Sequence, residues 1–138
     1  MNEYAFSDLT VGMTDCVEVR IEPEQIDRFA EYSGDFSTIH MHDEYALSRG
    51  FKARIGHGLM VGAFISAFIG MKLPGKHGLL QSISCEFRRP CYAPNVLTIA
   101  GTVVRRSEAM KIVALDIVVT DQSGAEIVRA QANSVLKL

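Results

Sequence analysis

The chain has no tryptophan, and aromatic residues make up only 8% of its 138 positions. Its core must therefore be built from aliphatic side chains, and 48% of the residues are hydrophobic. Cysteine is scarce too. Cys16, Cys85 and Cys91 show no metal-ligand spacing, and three thiols cannot all pair with one another. Cys16 and Cys85 fall in strand-like runs and are expected as small buried hydrophobes, which favours a reducing, cytoplasmic setting. The opening residues Met-Asn-Glu-Tyr lack the basic start and apolar stretch of a signal peptide, in line with that localisation. The longest apolar run, Gly58 to Met71, ends at Lys72 and falls short of the roughly 20 residues a membrane span requires, so it reads as a buried core helix. A formal net charge of -2 excludes a general attraction to nucleic acid. The basic pairs Arg88-Arg89 and Arg105-Arg106 are expected as solvated charges at strand ends, with small-anion contact the alternative. There is no internal repeat, low-complexity stretch or linker, and the length suits one domain over residues 1–138.

What is present divides into a helical first half and a strand-rich second half. Residues 1–15 read as an irregular lead-in with a turn at Gly12. Val17, Val19 and Ile21 alternate with Glu18, Arg20 and Glu22, the pattern of a half-buried strand. Pro23 then suits the first turn of a helix whose inner face is Ile26, Phe29, Ala30 and Ser33, with Gly34 as its stop. Asp35 to His40 is the loop that leaves it. A short helix is expected over Asp43 to Ser48, then an irregular link from Phe51 to His57. A long helix follows over about Leu59 to Leu73, apolar all round, closed by Pro74-Gly75. Gly58, Gly62, Ser66 and Gly70 form a seam of small residues down one face of that helix. The seam suits either close packing on a sheet or the lining of a pocket.

From Leu79 onward the chain alternates as strands. Leu79, Ile83, Cys85 and Phe87 belong to one run, followed by Val96 to Val104, Ile112 to Thr120, and Val128 to Leu136 with Lys137 at its polar end. The separators Arg89-Pro90 to Pro94-Asn95, Arg106 to Met110 and Asp121 to Gly124 carry turn chemistry. The last two connections are short, which favours antiparallel neighbours. The order predicts an α+β architecture: one antiparallel sheet wrapped around one long apolar central helix. An exposed sheet edge in so small a domain is a liability that pairing with a second copy relieves, so a homodimer is expected, with higher oligomers left open.

Two stretches carry chemistry. Tyr32-Ser-Gly-Asp35-Phe-Ser-Thr-Ile-His40 places a carboxylate near an imidazole, and His57-Gly58 places a glycine amide at the start of the apolar helix. An acid/base pair facing a polarising N–H is suited to moving water onto or off an activated alkene. Taken singly, Asp35 reads as a turn residue bonding its own backbone and His40 as a structural histidine. His57 reads as a brace for its loop more than as a catalyst. Their occurrence together favours catalysis. His40, His42 and Asp43 hint at a metal site, but no further ligand cluster supports one, so none is expected. Tyr32 is expected to pack at its helix end, and His77 to face solvent.

The chain resembles the MaoC-like dehydratases and R-specific enoyl-CoA hydratases. The resemblance rests on Tyr32-Ser-Gly-Asp35-Phe36, His40, Ala46, His57-Gly58-Leu-Met60, Leu73-Pro-Gly-Lys76, Ser82-Ile-Ser-Cys-Glu-Phe87 and Pro90. It implies the hot-dog fold, a dimer joined sheet edge to sheet edge, and a coenzyme A or acyl-carrier thioester as substrate with no other cofactor. It implies that Asp35 and His40 are the acid/base pair and that Gly58 supplies the oxyanion-hole amide. Ser66, Ser37 and His57 are expected to contact substrate. Met41, Tyr45, Phe51, Met60, Phe64 and Phe68 are candidate acyl-pocket walls, and Lys72, Lys76, Arg88 and Arg89 candidate phosphate contacts. The chain departs from the family where Ser37-Thr38 stands in place of Asn-Pro. Hydration or dehydration of an acyl thioester is the leading expectation; thioester hydrolysis and non-catalytic thioester binding are the alternatives.

Overall fold

The computed structural model describes residues 1–136; the expected polar end of the last strand at Lys137 lies outside the described residues. A short 3-10 turn, Phe6–Asp8, precedes β1 (Thr14–Ile21). The helix α1 (Pro23–Ser33) begins at its proline. Its first turn is closed by Gln25, whose side-chain oxygen accepts the Glu22 N–H at 2.6 Å. It ends where Gly34 turns left-handed at φ 75° and donates its N–H to the Ala30 carbonyl at 2.8 Å. The next segment is more helical than expected. Thr38–Met41 forms one turn, α2, so His40 stands on a helical turn rather than in a loop. α3 (Asp43–Ser48) and the long α4 (Gly58–Met71) follow.

Four strands complete the chain: β2 (Gly78–Phe87), β3 (Asn95–Ser107), β4 (Ile112–Thr120) and β5 (Glu126–Leu136). The sheet has the order β1-β3-β4-β5-β2, with every neighbouring pair antiparallel. The turns read from sequence make the β3–β4 and β4–β5 hairpins. β2 pairs instead with β5, because α4 carries the chain from the β1 edge of the sheet to its opposite edge.

Val61, Ile65, Phe68 and Ile69 form the buried stripe of α4, at helical spacing. They meet Leu97, Ile99 and Val103 of β3, Leu115 and Ile117 of β4 and Ala130 and Ala132 of β5, all in one apolar cluster. The closest approach is at Gly101 on β3. A Cβ there would stand 2.5 Å from Cε1 of Phe68, a ring that is itself only 1% exposed. The missing side chain is what lets the helix sit down on the sheet.

Three expectations are corrected here. The seam Gly58, Gly62, Ser66 and Gly70 does not face the sheet. Beyond Gly58, a Cβ at Gly62 would touch only Leu59 of its own helix and one at Gly70 would meet nothing within 4 Å, while Ser66 is exposed. Helix geometry explains this: the seam lies round the helix from the Val61–Ile65–Phe68 stripe that the sheet has taken. Cys16 is exposed rather than buried, because strand alternation puts it on the wet face with Glu18 and Arg20. Tyr32 does not pack at its helix end and is 92% exposed.

Replacing Gly101 with alanine should push the Phe68 ring out of its seat at a cost of about 1–3 kcal/mol, the usual range for overpacking a full core. Urea denaturation reads this directly, and a parental midpoint in Gly101→Ala would contradict the seat described.

Candidate active site

The end of α1, the turn α2, the 51–57 link and the start of α4 converge on one cavity of about 590 Å³. Phe29, Phe51, Ile55, Leu59, Val61 and Phe87 supply its apolar lining, and Asp35, His40, His57 and Gly58 line it beside them. Of the candidate pocket walls, Phe51 lines this cavity. Met60 and Phe68 are buried in the interior instead, and Met41, Tyr45 and Phe64 lie outside the lining. Arg88 and Arg89 border the cavity, Arg88 paired with Glu86 at 2.6 Å and Glu126 at 3.2 Å and Arg89 donating to the Glu126 carbonyl at 2.8 Å. Lys76 is engaged elsewhere, 2.7 Å from Glu3.

The local chain explains how Asp35 and His40 are aimed. Gly34 ends α1 and turns Asp35 outward. One carboxylate oxygen of Asp35, Oδ1, accepts the Ser37 backbone N–H at 3.0 Å and also the Ser37 hydroxyl. These hydrogen bonds, the hydroxyl first and the amide next, hold the Asp35 carboxyl below its ordinary 3.8. Ser37 thus orients the Asp35 carboxylate and does not line the cavity. Its position in place of asparagine does not unmake the loop.

The other carboxylate oxygen, Oδ2, lies 4.0 Å from Nε2 of His40 and 4.0 Å from Nε2 of His57. Each imidazole is fixed from behind. Nδ1 of His40 is 2.8 Å from the Ile55 carbonyl. A carbonyl only accepts, so Nδ1 carries a proton, and Nε2 is the ring nitrogen that faces Asp35. Nε2 of His57 is 2.8 Å from the Asp35 carbonyl and donates to it by the same logic. The two rings stack with centroids 3.9 Å apart, and His57 is 2% exposed. His57 thus bonds the backbone of Asp35 and backs the ring of His40, the geometry of a brace.

Gly58 is the first residue of α4. Its N–H lies outside the intrahelical ladder and donates to no acceptor among the described residues. The helix dipole adds partial positive charge at that end. A Cβ at Gly58 would come within 2.9 Å of the Phe87 ring, so the helix start lies close against β2. Ser66, further down α4, does not line this chain's cavity; it sits on the exposed helix face. Cys91 lines the cavity as an inert thiol, because burial pushes its pKa up to about 11.

Among the described residues, one cluster has the geometry to hold a metal ion, and it is Asp35, His40 and His57, with ligand atoms within 4.8 Å of one another. It is not the His40, His42 and Asp43 grouping considered from sequence. The side chain of Asp43 is occupied with the Arg54 N–H at 2.8 Å. Arg54 and Asp27, which stand behind the site, were not anticipated. Arg54 lies in a link without periodicity, and Asp27 reads as one more charge on the wet face of α1.

The sequence profile of the MaoC like domain matches residues 10–124, and the chain belongs to that family. It is 38% identical over 85 residues to a 3-hydroxybutyryl-CoA dehydratase of Methylorubrum extorquens, a match that covers 62% of this chain and about half, 54%, of that relative. It is 33% identical over 98 residues to an (R)-specific enoyl-CoA hydratase of Rhodospirillum rubrum, covering 71% of this chain and 68% of the relative. The solved structure of the (R)-hydratase from Aeromonas caviae superposes with a TM-score of 0.88 at 27% identity, covering 94% of this chain and 98% of the other. The fold is the hot-dog fold expected from the resemblance.

Removing the Ser37 hydroxyl should raise the Asp35 pKa back toward 3.8, the direction opposite to the lowering this hydrogen bond produces. A carbon-detected NMR titration of the carboxyl in Ser37→Ala measures this. A pKa that stays as low as in the parent would contradict the assigned role.

Proposed function

We infer that the chain is a hydro-lyase: an R-specific enoyl-CoA hydratase, or a 3-hydroxyacyl-thioester dehydratase when it runs in reverse. The observation that carries this reading is the 4.0 Å separation between Asp35 Oδ2 and His40 Nε2. Both atoms are hydrogen-bond acceptors when the carboxyl is ionised and the imidazole is neutral. One water donating a hydrogen to each is held with its oxygen lone pairs free. Among the described residues, the unpaired Gly58 N–H borders the same cavity.

An α,β-unsaturated thioester is electrophilic at its β carbon when its carbonyl oxygen can accept charge. The Gly58 amide and the α4 dipole stabilise that charge as it develops. The held water attacks the β carbon and forms the C–O bond. Its proton passes to the Asp35–His40 pair, which returns a proton to the α carbon. The sum is addition of one water across the double bond, and the reverse sequence expels it. Acid/base groups and one amide suffice for this, so the reading calls for no cofactor beyond the thioester itself. The apolar cavity wall suits the acyl chain, and Arg88 and Arg89 on its rim suit an anionic carrier. A cytoplasmic setting is consistent with three unpaired cysteines, and no helix among the described residues is long and apolar enough to cross a membrane.

The functional unit we propose is a homodimer. β2 is an edge strand, with Leu79 54% and Phe87 50% exposed. On α4, Leu59 and Met71 are open to solvent, and so is Ser66. A second copy laid along β2 would cover this apolar edge and the small-residue seam together. Sedimentation should then give twice the 15.2 kDa chain mass, whereas a monomer at micromolar concentration would contradict the pairing.

With crotonyl-CoA the protein should consume the enone without releasing free thiol. Asp35→Asn and His40→Ala should each lower kcat by about 10²–10⁴-fold, the usual worth of a positioned acid or base. Near-parental turnover in either variant, or thiol release in place of enone loss, would overturn the reading.

A further inference from the structure

The backbone carbonyl that orients His40 is itself held by a clamp the reaction does not use. Arg54 immediately precedes Ile55, whose carbonyl accepts the His40 Nδ1 proton. Its guanidinium is forked on Asp27 of α1: Nη1 meets Oδ1, and Nη2 lies 3.3 Å from Oδ2. Nη2 also donates to the Pro23 carbonyl at 3.3 Å, and Nη1 to the carbonyl of His40 itself at 3.4 Å. The Arg54 backbone N–H donates to Asp43 Oδ1 at 2.8 Å. One residue thereby ties the first turns of α1 and α3 to the end of α2. The following peptide completes the hold, with the Ile55 N–H donating to the Ile39 carbonyl at 3.2 Å. The pair favours its charged form on both sides: the hydrogen bond with Asp27 raises the Arg54 pKa, and the same bond lowers that of Asp27.

We propose that Arg54, clamped by Asp27, is a positioning residue for the reaction: it fixes the Ile55 carbonyl and the His40 backbone, and through them the tautomer and aim of the His40 ring. Several features support this over a purely structural role. The Arg54 side chain is only 18% exposed, and its fork reaches the carbonyl of the base itself. Its partners are Asp27, Asp43 and the carbonyls of Pro23 and His40, none of them in the hydrophobic core, and the peptide that follows it bonds to Ile39 beside His40. Arginine suits the task because its planar fork spans Asp27 while leaving N–H groups for two carbonyls, and lysine offers one ammonium point for all of them. A small error in the placement of a catalytic group is costly, on the order of 10²-fold for about 1 Å.

The inference rests on His40 acting as proposed above, and the experiment separates the two. Arg54→Met, Arg54→Lys and Asp27→Asn are compared with the parent by thermal unfolding, by crotonyl-CoA kinetics, and by ¹⁵N NMR of the His40 ring in the absence of substrate. The folded variants Arg54→Met and Asp27→Asn should lose about 10- to 100-fold in kcat, with KM changing less than about threefold, and Arg54→Lys should recover part of the loss. The His40 ring signals should change from one fixed Nδ1-protonated tautomer to a mixture. Should Arg54→Met fail to fold, Asp27→Asn decides, because the Asp27 side chain is 45% exposed and its loss leaves the core intact. A single Nδ1-protonated His40 with parental kcat in a folded variant overturns the clamp. A tautomer mixture with no enoyl turnover in the parent preserves the clamp and removes the hydratase reading instead.

Discussion

Phe68 reaches the sheet at Gly101 because that position carries no side chain, and the depth of this contact determines where α4 stands. The helix is apolar and gains little from surface polarity, so burial of its Val61–Ile65–Phe68–Ile69 stripe holds it in place. Each of those side chains contributes about 1.5–3 kcal/mol on full burial. That seat brings the first turn of α4, and with it His57 and Gly58, to the cavity that also receives Asp35 and His40. Gly56 adds a second tether there: its N–H donates to the Cys91 carbonyl at 2.7 Å and joins the 51–57 link to the β2–β3 connection. The site is a consequence of where a helix can be buried.

Within the site, backbone carbonyls do most of the aiming. Ile55 fixes the ring of His40, Asp35 fixes the ring of His57, and the stacked rings support each other. The acid is set by Ser37 through one oxygen, which leaves the other free. The Ser37 hydroxyl and its own backbone N–H both reach that one oxygen. The second carboxylate oxygen of Asp35, the His40 ring and the start of α4, whose Gly58 amide meets no acceptor among the described residues, thus border one largely apolar cavity.

Much of this was legible before coordinates. Alternation from Leu79 onward revealed the strands, and Pro23 with Gly34 bracketed α1, because those residues restrict the backbone directly. The spacing of Gly34-Asp35, His40 and His57-Gly58 pointed to residues that the fold does bring to one cavity. Other features were hidden for physical reasons. The small-residue seam of α4 has the same pattern whether it faces a sheet, a pocket or a second chain, and only the packed stripe decides. Pairing of β2 with β5 is nonlocal and leaves no mark in either strand. The Arg54–Asp27 fork joins positions far apart in sequence, neither with any periodic signal. Cys16 was readable: its parity with Glu18 and Arg20 already put it outside.

The proposed reaction uses one pair of side chains, on one side of the bound alkene, both to guide the water and to return the proton. Hydration of crotonyl-CoA in deuterium oxide, with the product analysed by proton NMR, tests it most directly. The account predicts a single product in which the β-hydroxyl and the α-deuterium have been added to the same face of the double bond. Addition to opposite faces, or a mixture at the α carbon, would contradict it, because a proton arriving from the far side cannot come from Asp35 or His40.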